Sequence, residues 1–425
     1  MFAASLLASF GIWHWAEAIL VPANTLAAQS KGVPIGNNSD LYPRWLGARE
    51  LLLHGRDPYS SAVTRDIQKG FYGQPLDPNN PAHAVAPEAF YYPLYVVFLL
   101  APTITLPFAI VAEGFRWFFL FGIALSVALW ARAIGLHLRP LQLASAMVLA
   151  VSSYPAVLEF HMQNLTALVA LLLALAAAST VRGWFALSGF LLALATIKPQ
   201  FSGLFVVWFA IWAAGRWAER KRMAWSFAAT MLALVLGAEA LLPHWVQEFA
   251  GALDTYRKYA TVPSILNIFF PSALSWVVGA GLVATLIGMS LKWRACVPTS
   301  EEFGWALAWA ATVTLVIIPT SVYNQVLLVP PFLVLLAQRK MIAAMGLMPR
   351  ALVKAAFASQ GWQWVAAVMV SGGSLLISKE RMTGAALVPV YTLLAVPPLT
   401  LLAVVFATFS RQRAGLSYSS PSNNP

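Results

Sequence analysis

The chain has 425 residues, 60% of them hydrophobic and only 10% charged, with a mean hydropathy of +0.71. An ordinary soluble domain carries about 25% charged residues, so this chain lacks the polar surface to face water, and a soluble globule is excluded. The formal net charge of +11 is held in short clusters between apolar runs, which excludes a nucleic-acid stripe and fits the positive-inside pattern of membrane topology.

In chain order, apolar segments near residues 3–22, 117–135, 140–158, 164–181, 184–198, 200–215, 223–242, 272–291, 303–319, 325–338, 361–378 and 384–408 are long enough, or nearly so, to cross a hydrocarbon layer of roughly 30 Å. The expected fold is an all-α integral membrane protein of about 12 transmembrane helices, a single polytopic domain over 1–425. The start, MFAASLLASFGIWHWAEA, lacks a positively charged leader region, so an uncleaved first span is expected. Cys296 stands alone in the sequence, which excludes an internal disulfide and a cysteine metal cluster.

Residues 90–111 are apolar but interrupted by Pro93, Pro102 and Pro107. Charge decides their reading. If they do not cross and the N-terminus is cytoplasmic, the clusters Arg132/Arg139, Arg182, Arg216/Arg220/Lys221/Arg222, Lys292/Arg294, Arg339/Lys340, Arg350/Lys354 and Arg411/Arg413 all fall inside. Arg116, Lys198, Arg257, Lys258, Lys379 and Arg381 are then outside. A full crossing would reverse this bias. The segment is therefore expected to be re-entrant or interfacial, with core helices over 117–270 and C-terminal helices over 271–410. Broken backbone at membrane depth needs protein or a water-filled cavity around it, so 90–111 is expected to wall a cavity.

The first outer loop, 23–89, is the longest hydrophilic stretch. Its WLGARELLLHG reads as a short amphipathic, interfacial helix ended by Gly55. That puts Asp40 just before the helix, followed by Arg44 and Arg49. A helix cap or solvated loop acid also explains Asp40, a turn explains Asp57, and an exposed helix end explains His54. Further on, LEFHMQN supplies Glu159, His161, Gln163 and Asn164, and ATIKPQF supplies Lys198 between apolar runs. An ionisable group there is costly and marks function by default. Snorkelling is the alternative for Lys198, and helix–helix hydrogen bonding for Gln163 and Asn164. The loop 243–271 offers His244, Asp254, Tyr256, Arg257, Lys258 and Asn267, and TSVYNQ brings Tyr323, Asn324 and Gln325 to the same side, with Glu17 and Glu239 near span ends. There is no Walker loop, dinucleotide fingerprint, HExxH or GxSxG.

The order DLYPRWLGARELLLHGRDPYS, then FYYPLYVVFLLAP, then HMQNLTALVALLLALA, then LSGFLLALATIKPQ resembles the bacterial polyprenyl-phosphate-mannose-dependent mannosyltransferases of glycosyltransferase family 87, over about residues 1–270. Tyr92-Pro93-Leu94 stands where the family commonly has Tyr-Pro-Pro. The resemblance implies a GT-C type of membrane fold in the bacterial plasma membrane, with cytoplasmic termini and an extracytoplasmic active site. It implies a polyprenyl-phosphate-linked sugar donor, a lipid or glycan acceptor, no nucleotide cofactor, and Asp40 as the base. Around it the expected substrate-binding set is Lys198, Arg44, Gln163, Asn164, His161, Tyr92 and Asn267, with no metal ligands. A phosphate monoester leaves without metal help, so none is required. A secondary transporter or lipid flippase is the competing class; it should show internal repeats with paired broken helices, and none is detectable.

Overall fold

In the computed structural model, residues 1–425 are described except 78, 81–82, 84–86, 260–261, 320, 377–382 and 414–425. Among the described residues there are helices and turns and no strand. Lys379 and Arg381, counted above as outer charges, lie outside them.

The first helix, α1, runs Phe2–Ser30 through a π-helical stretch at Ala16–Leu20. It continues past residue 22, where a loop was expected to begin. Pro22 lies inside this helix directly after the π-helical stretch, an irregularity in the hydrogen-bond ladder that makes room for a residue without an N–H, and the chain breaks only at Lys31–Gly32, with Gly32 at φ 64. Two loop helices follow, α2 (Tyr42–His54) and α3 (Ser61–Tyr72). The stop at Gly55 is left-handed, φ 64, the geometry that glycine tolerates at a helix end. Helix α2 does not lie free on an interface. Pro43, Arg44, Trp45, Leu46, Gly47, Ala48, Glu50 and Leu51 are buried, and Trp45 and Arg49 donate to the carbonyls of Thr103 and Ile104. Its cover is the proline-broken segment 90–107.

Within that segment only α4 (Val96–Leu100) and the 3-10 turn Ala101–Thr103 are helical. Five α-helical residues rise about 7.5 Å, a quarter of the hydrocarbon thickness. Pro107 then opens the long α5, Phe108–Ala133. Next come α6 (Pro140–Val151) and α7 (Tyr154–Met162), bent by 55° at Ser152–Ser153. Pro155 in the first turn of α7 explains the bend, because it has no N–H to continue the ladder of α6. The single span expected at 140–158 is therefore two helices.

Helices α8 (Thr166–Val181), α9 (Phe185–Ala195) and α10 (Pro199–Gly215) follow. Then come α11 (Trp217–Leu241), α12 (Trp245–Tyr259), α13 (Ile265–Phe269) and α14 (Ser272–Trp293). The chain ends with α15 (Glu301–Ile317), a 3-10 stretch Val322–Leu328 leading into α16 (Val329–Ala337), α17 (Arg339–Ala343), α18 (Leu347–Gly373) and α19 (Val396–Arg413). Among the described residues four helices are long and apolar enough to cross a membrane: Phe2–Ser30, Phe108–Ala133, Trp217–Leu241 and Ser272–Trp293. The bent pair α6/α7 would make a fifth. Others that were expected to span, such as α8 to α10, are 11 to 17 residues long and rise about 16–26 Å.

The centre is α15, buried along nearly its whole length, with α10 and α19 packed on it. Trp208, Trp212, Trp305 and Trp309 fill the space between them. Close approach of α9 and α11 depends on Gly189, where a Cβ would sit 2.1 Å from the Met223 carbonyl oxygen, as small residues allow between membrane helices. Outside the core, Phe121, Trp225, Leu232, Leu236, Trp276 and Val277 are exposed, an apolar surface that water does not favour and lipid does. At one end of the bundle Arg220, one of the expected anchor cations, is buried. It stacks on Trp212 at 3.5 Å and donates to the carbonyls of Trp212, Arg294 and Cys296.

Candidate functional site

Four chain breaks meet at the other end of the molecule. The first is the C-terminus of α7. Gln163 is left-handed, φ 47 and ψ 49, uncommon for a residue with a long side chain and a sign of stored strain. The turn stops the helix and reverses the chain, so Asn164 lies two residues before α8, with its Oδ1 accepting from the backbone N–H of Thr166 at 3.0 Å. The second is Lys198. Proline at 199 disfavours helix at the preceding residue and itself suits the first turn of the next helix. Lys198 therefore sits, fully desolvated, at the N-cap of α10. The third is the approach to α2, where the backbone N–H of Asp40 donates to the Met162 carbonyl at 2.6 Å. The fourth is the 3-10 stretch carrying Asn324, which packs against α7.

One side chain joins these pieces. Asn164 Nδ2 donates to Asp40 Oδ2 at 2.7 Å, and its Oδ1 accepts from Lys198 Nζ at 2.6 Å. The amide thus has a carboxylate on one side and an ammonium on the other, which fixes its orientation. Lys198 Nζ also donates to the Thr166 hydroxyl and, at 3.2 Å, to Asn324 Oδ1. Its charge lies 4.8 Å from the Phe201 ring centre and 5.5 Å from that of Tyr323, both favourable for a desolvated cation. The buried Glu159 carboxylate is within electrostatic reach of Lys198 and Asp40. It points at the N–H groups of Asn164 and Ala167 at the start of α8, outside strict hydrogen-bond geometry.

Arg44 approaches Asp40 from one turn into α2. Its Nη1 donates to the Asp40 carbonyl at 2.7 Å, its guanidinium lies 4.5 Å from the Tyr92 ring centre, and Glu88 is 3.8 Å away. Tyr92 in turn holds the broken segment, its carbonyl accepting from Tyr59 Oη at 2.7 Å. Asp40, Arg44, Tyr92, Asn164 and Lys198 are thus brought together. Gln163 is beside them, but its Nε2 is used on the carbonyls of Phe160 and His161, closing the end of α7. Its buried Oε1, and Arg44 Nε, have no hydrogen-bond partner among the described residues. Such atoms cost about 1–3 kcal/mol each when left unpaired, which a bound polar substrate would offset. His161 is turned away toward Glu17, 3.2 Å from its Nε2. Asn267 is exposed and, among the described residues, its side chain is bonded only within its own helix cap with Ser264.

Four members of the centre were not in the expected set. Glu159 and Asn324 are polar residues at apolar span ends, which is the signal that pointed to their neighbours. Thr166 is small and looks like ordinary helix sequence. Glu88 follows a Gly/Pro/Asn-rich stretch directly before FYYP, and nothing local marks it. Burial pushes the Glu88 carboxyl up to about 7; Arg44 works against that shift and Asp40 adds to it. The folded protein therefore holds this proton where an unfolded chain, at the ordinary value of 4.5, has released it. Stability contributed by the protonated form is complete below pH 4.5 and lost as pH rises through about 7. Melting temperature measured from pH 5 to 7.5 should fall more steeply for the native chain than for Glu88→Gln. Parallel profiles would remove Glu88 from the account.

Among the described residues no group of three or more His, Cys, Asp or Glu is placed to hold a metal ion. What the arrangement offers is a half-buried carboxylate, two cations within its field, and amide groups between them. No curated protein and no solved structure matches the chain. Residues 90–338, more than half of its length, match the sequence model of glycosyltransferase family 87; Tyr92, Glu159, Asn164, Lys198 and Asn324 fall inside that range and Asp40 precedes it. The chain belongs to glycosyltransferase family 87, and is a membrane glycosyltransferase.

Proposed function

We propose that the protein moves a hexose, mannose by family resemblance, from a polyprenyl-phosphate sugar to a lipid or glycan acceptor at the extracytoplasmic face of a bacterial plasma membrane. The observation that carries this reading is the hydrogen-bonded chain Asp40–Asn164–Lys198, with Arg44 beside it. It places a proton acceptor and cationic groups in one site at the ends of apolar helices.

The chemistry follows from those positions. Asp40 takes the proton of the acceptor hydroxyl as its oxygen attacks C1 of the sugar. The new O–C1 bond forms on the face opposite the phosphate, the old C1–O bond breaks, and its electron pair leaves on the polyprenyl phosphate. A single displacement inverts the anomeric configuration. The leaving group gains negative charge, which Lys198 and Arg44 stabilise in a site already poor in water. Asn164 holds sugar hydroxyls and keeps Asp40 aimed, while Tyr92 keeps Arg44 in place. The broken segment 90–107 gives the lipid-linked donor an entry that a continuous helix would close. A positioned general base typically contributes 10²–10⁴-fold to such a reaction, with alignment of the two substrates supplying more.

Purified protein incubated with a panel of polyprenyl-phosphate-linked sugars should release polyprenyl phosphate with one donor well above the rest. Nucleotide sugars should give no transfer. Turnover with a nucleotide sugar, or uptake of the lipid without sugar release, would overturn the proposal.

A further inference from the structure

A second charged site lies at the far end of the bundle. The 3-10 stretch that carries Asn324 continues into α16, and from Asn324 to Arg339 the chain climbs roughly 25 Å, close to the thickness of the hydrocarbon layer. There a groove of about 450 Å³ opens between α16, α17 and α18. Leu335, Leu336, Ile342, Val353 and Phe357 contribute apolar wall, while Arg339, Arg350 and Lys354 bring three cations to it. Arg350, Val353, Lys354 and Phe357 follow the 3–4 spacing of one helix face, so charge and grease alternate along the same side of α18. Phe357 is 38% exposed, and Leu347 and Met348 beside it are 77% and 58% exposed. Among the described residues no carboxylate forms an ion pair with any of the three cations. Arg411, on the same side of the sequence pattern, pairs with Glu301 and Glu302 instead.

We infer that this groove is a binding site for an anionic membrane phospholipid, its phosphate held by Arg339, Arg350 and Lys354 and its acyl chains lying along Leu335, Leu336 and Phe357. Charge complementarity selects the occupant. A zwitterionic headgroup brings its own cation into a site with no acid to receive it, whereas an anionic headgroup completes three unpaired cations at a membrane surface. A free phosphate would leave the apolar wall uncovered. The site is independent of the catalytic reading, because it lies about a bilayer's thickness from Asp40 and shares no residue with that centre.

The test is native mass spectrometry and thermal unfolding of the full chain in neutral detergent, with phosphatidylglycerol, phosphatidylcholine or inorganic phosphate added. Phosphatidylglycerol should remain bound and raise the melting temperature, and the other two should not. Arg350→Gln/Lys354→Gln should weaken retention roughly tenfold to thirtyfold, the loss expected for two basic side chains at a membrane surface. Lys292→Gln/Arg294→Gln, an equal loss of charge at exposed positions, should change it little. Equal retention of phosphatidylcholine by the native chain, stabilisation by phosphate alone, or equal losses in the two double variants would each overturn the inference. The first two readings use the unmutated protein, so misfolding of a variant cannot rescue it.

Discussion

Replacing Lys198 by Met should both destabilise the protein and stop sugar transfer, and the two effects should separate in a second variant. Lys198 is 5% exposed, and its ammonium donates to Asn164, Thr166 and Asn324. Methionine fills much of the volume but donates nothing, so three acceptors lose a donor and the buried Glu159 loses its nearest cation. Hydrogen bonds to a charged group are worth about 1.5–3 kcal/mol each, so their loss is a large share of the 5–15 kcal/mol that holds a domain together. Adding Glu159→Gln removes the stranded carboxylate and should restore most of the lost melting temperature. It should not restore turnover, because the cation that the proposed mechanism sets against the leaving phosphate is still missing. Intrinsic fluorescence during heating reads the first effect and release of polyprenyl phosphate the second. A Lys198→Met protein as stable as the native chain, or a double variant that regains activity, would contradict this assignment.

The second large effect belongs to Asp40. Asp40→Asn keeps the shape of the side chain, and its amide oxygen still accepts from Asn164 Nδ2. The backbone link from residue 40 to the Met162 carbonyl is untouched, as is the bond from Arg44 to the residue 40 carbonyl. Folding should therefore change by little more than a degree or two in melting temperature. An amide does not accept the acceptor's proton, so the rate constant for transfer should fall by about 10²–10⁴-fold. The cost should appear in kcat far more than in KM, because the donor is held by other groups. A variant that retains native turnover rejects Asp40 as the base, and a loss confined to KM makes it a binding residue.

How much of this is readable without coordinates differs between elements. The all-helical, lipid-facing architecture follows from apolar runs and scarce charge, and the stops at Gly55 and before Pro199 follow from local backbone rules. The number of membrane crossings does not, since apolar runs such as α8 and α15 read as lipid-facing spans, although they are 16 and 17 residues long and buried inside the bundle. The bend at Ser152–Ser153 was legible in Pro155, but the apolar run across it conceals the break. At the site, Asp40, Asn164 and Lys198 stand out because polar groups beside apolar spans are expensive. Their bonding is long-range, over 124 and 34 residues, and no local pattern encodes it. His161 and Asn267 stood out by the same rule. The structure gives them nearer partners, Glu17 and Ser264, because proximity in sequence to a site does not fix side-chain direction. Glu88 lies in the reverse position, plain in sequence and central in space.

The proposed placement of Asp40, Asn164 and Lys198 at the extracytoplasmic face is tested most directly by labelling single cysteines in intact cells with a membrane-impermeant maleimide, after Cys296→Ser. Lys31→Cys, an exposed position at the end of α1, should react before the membrane is opened. Lys292→Cys, exposed at the other end, should react only afterwards. The reverse order would put Asp40 and Lys198 on the cytoplasmic side and contradict transfer from an outward-facing lipid-linked donor.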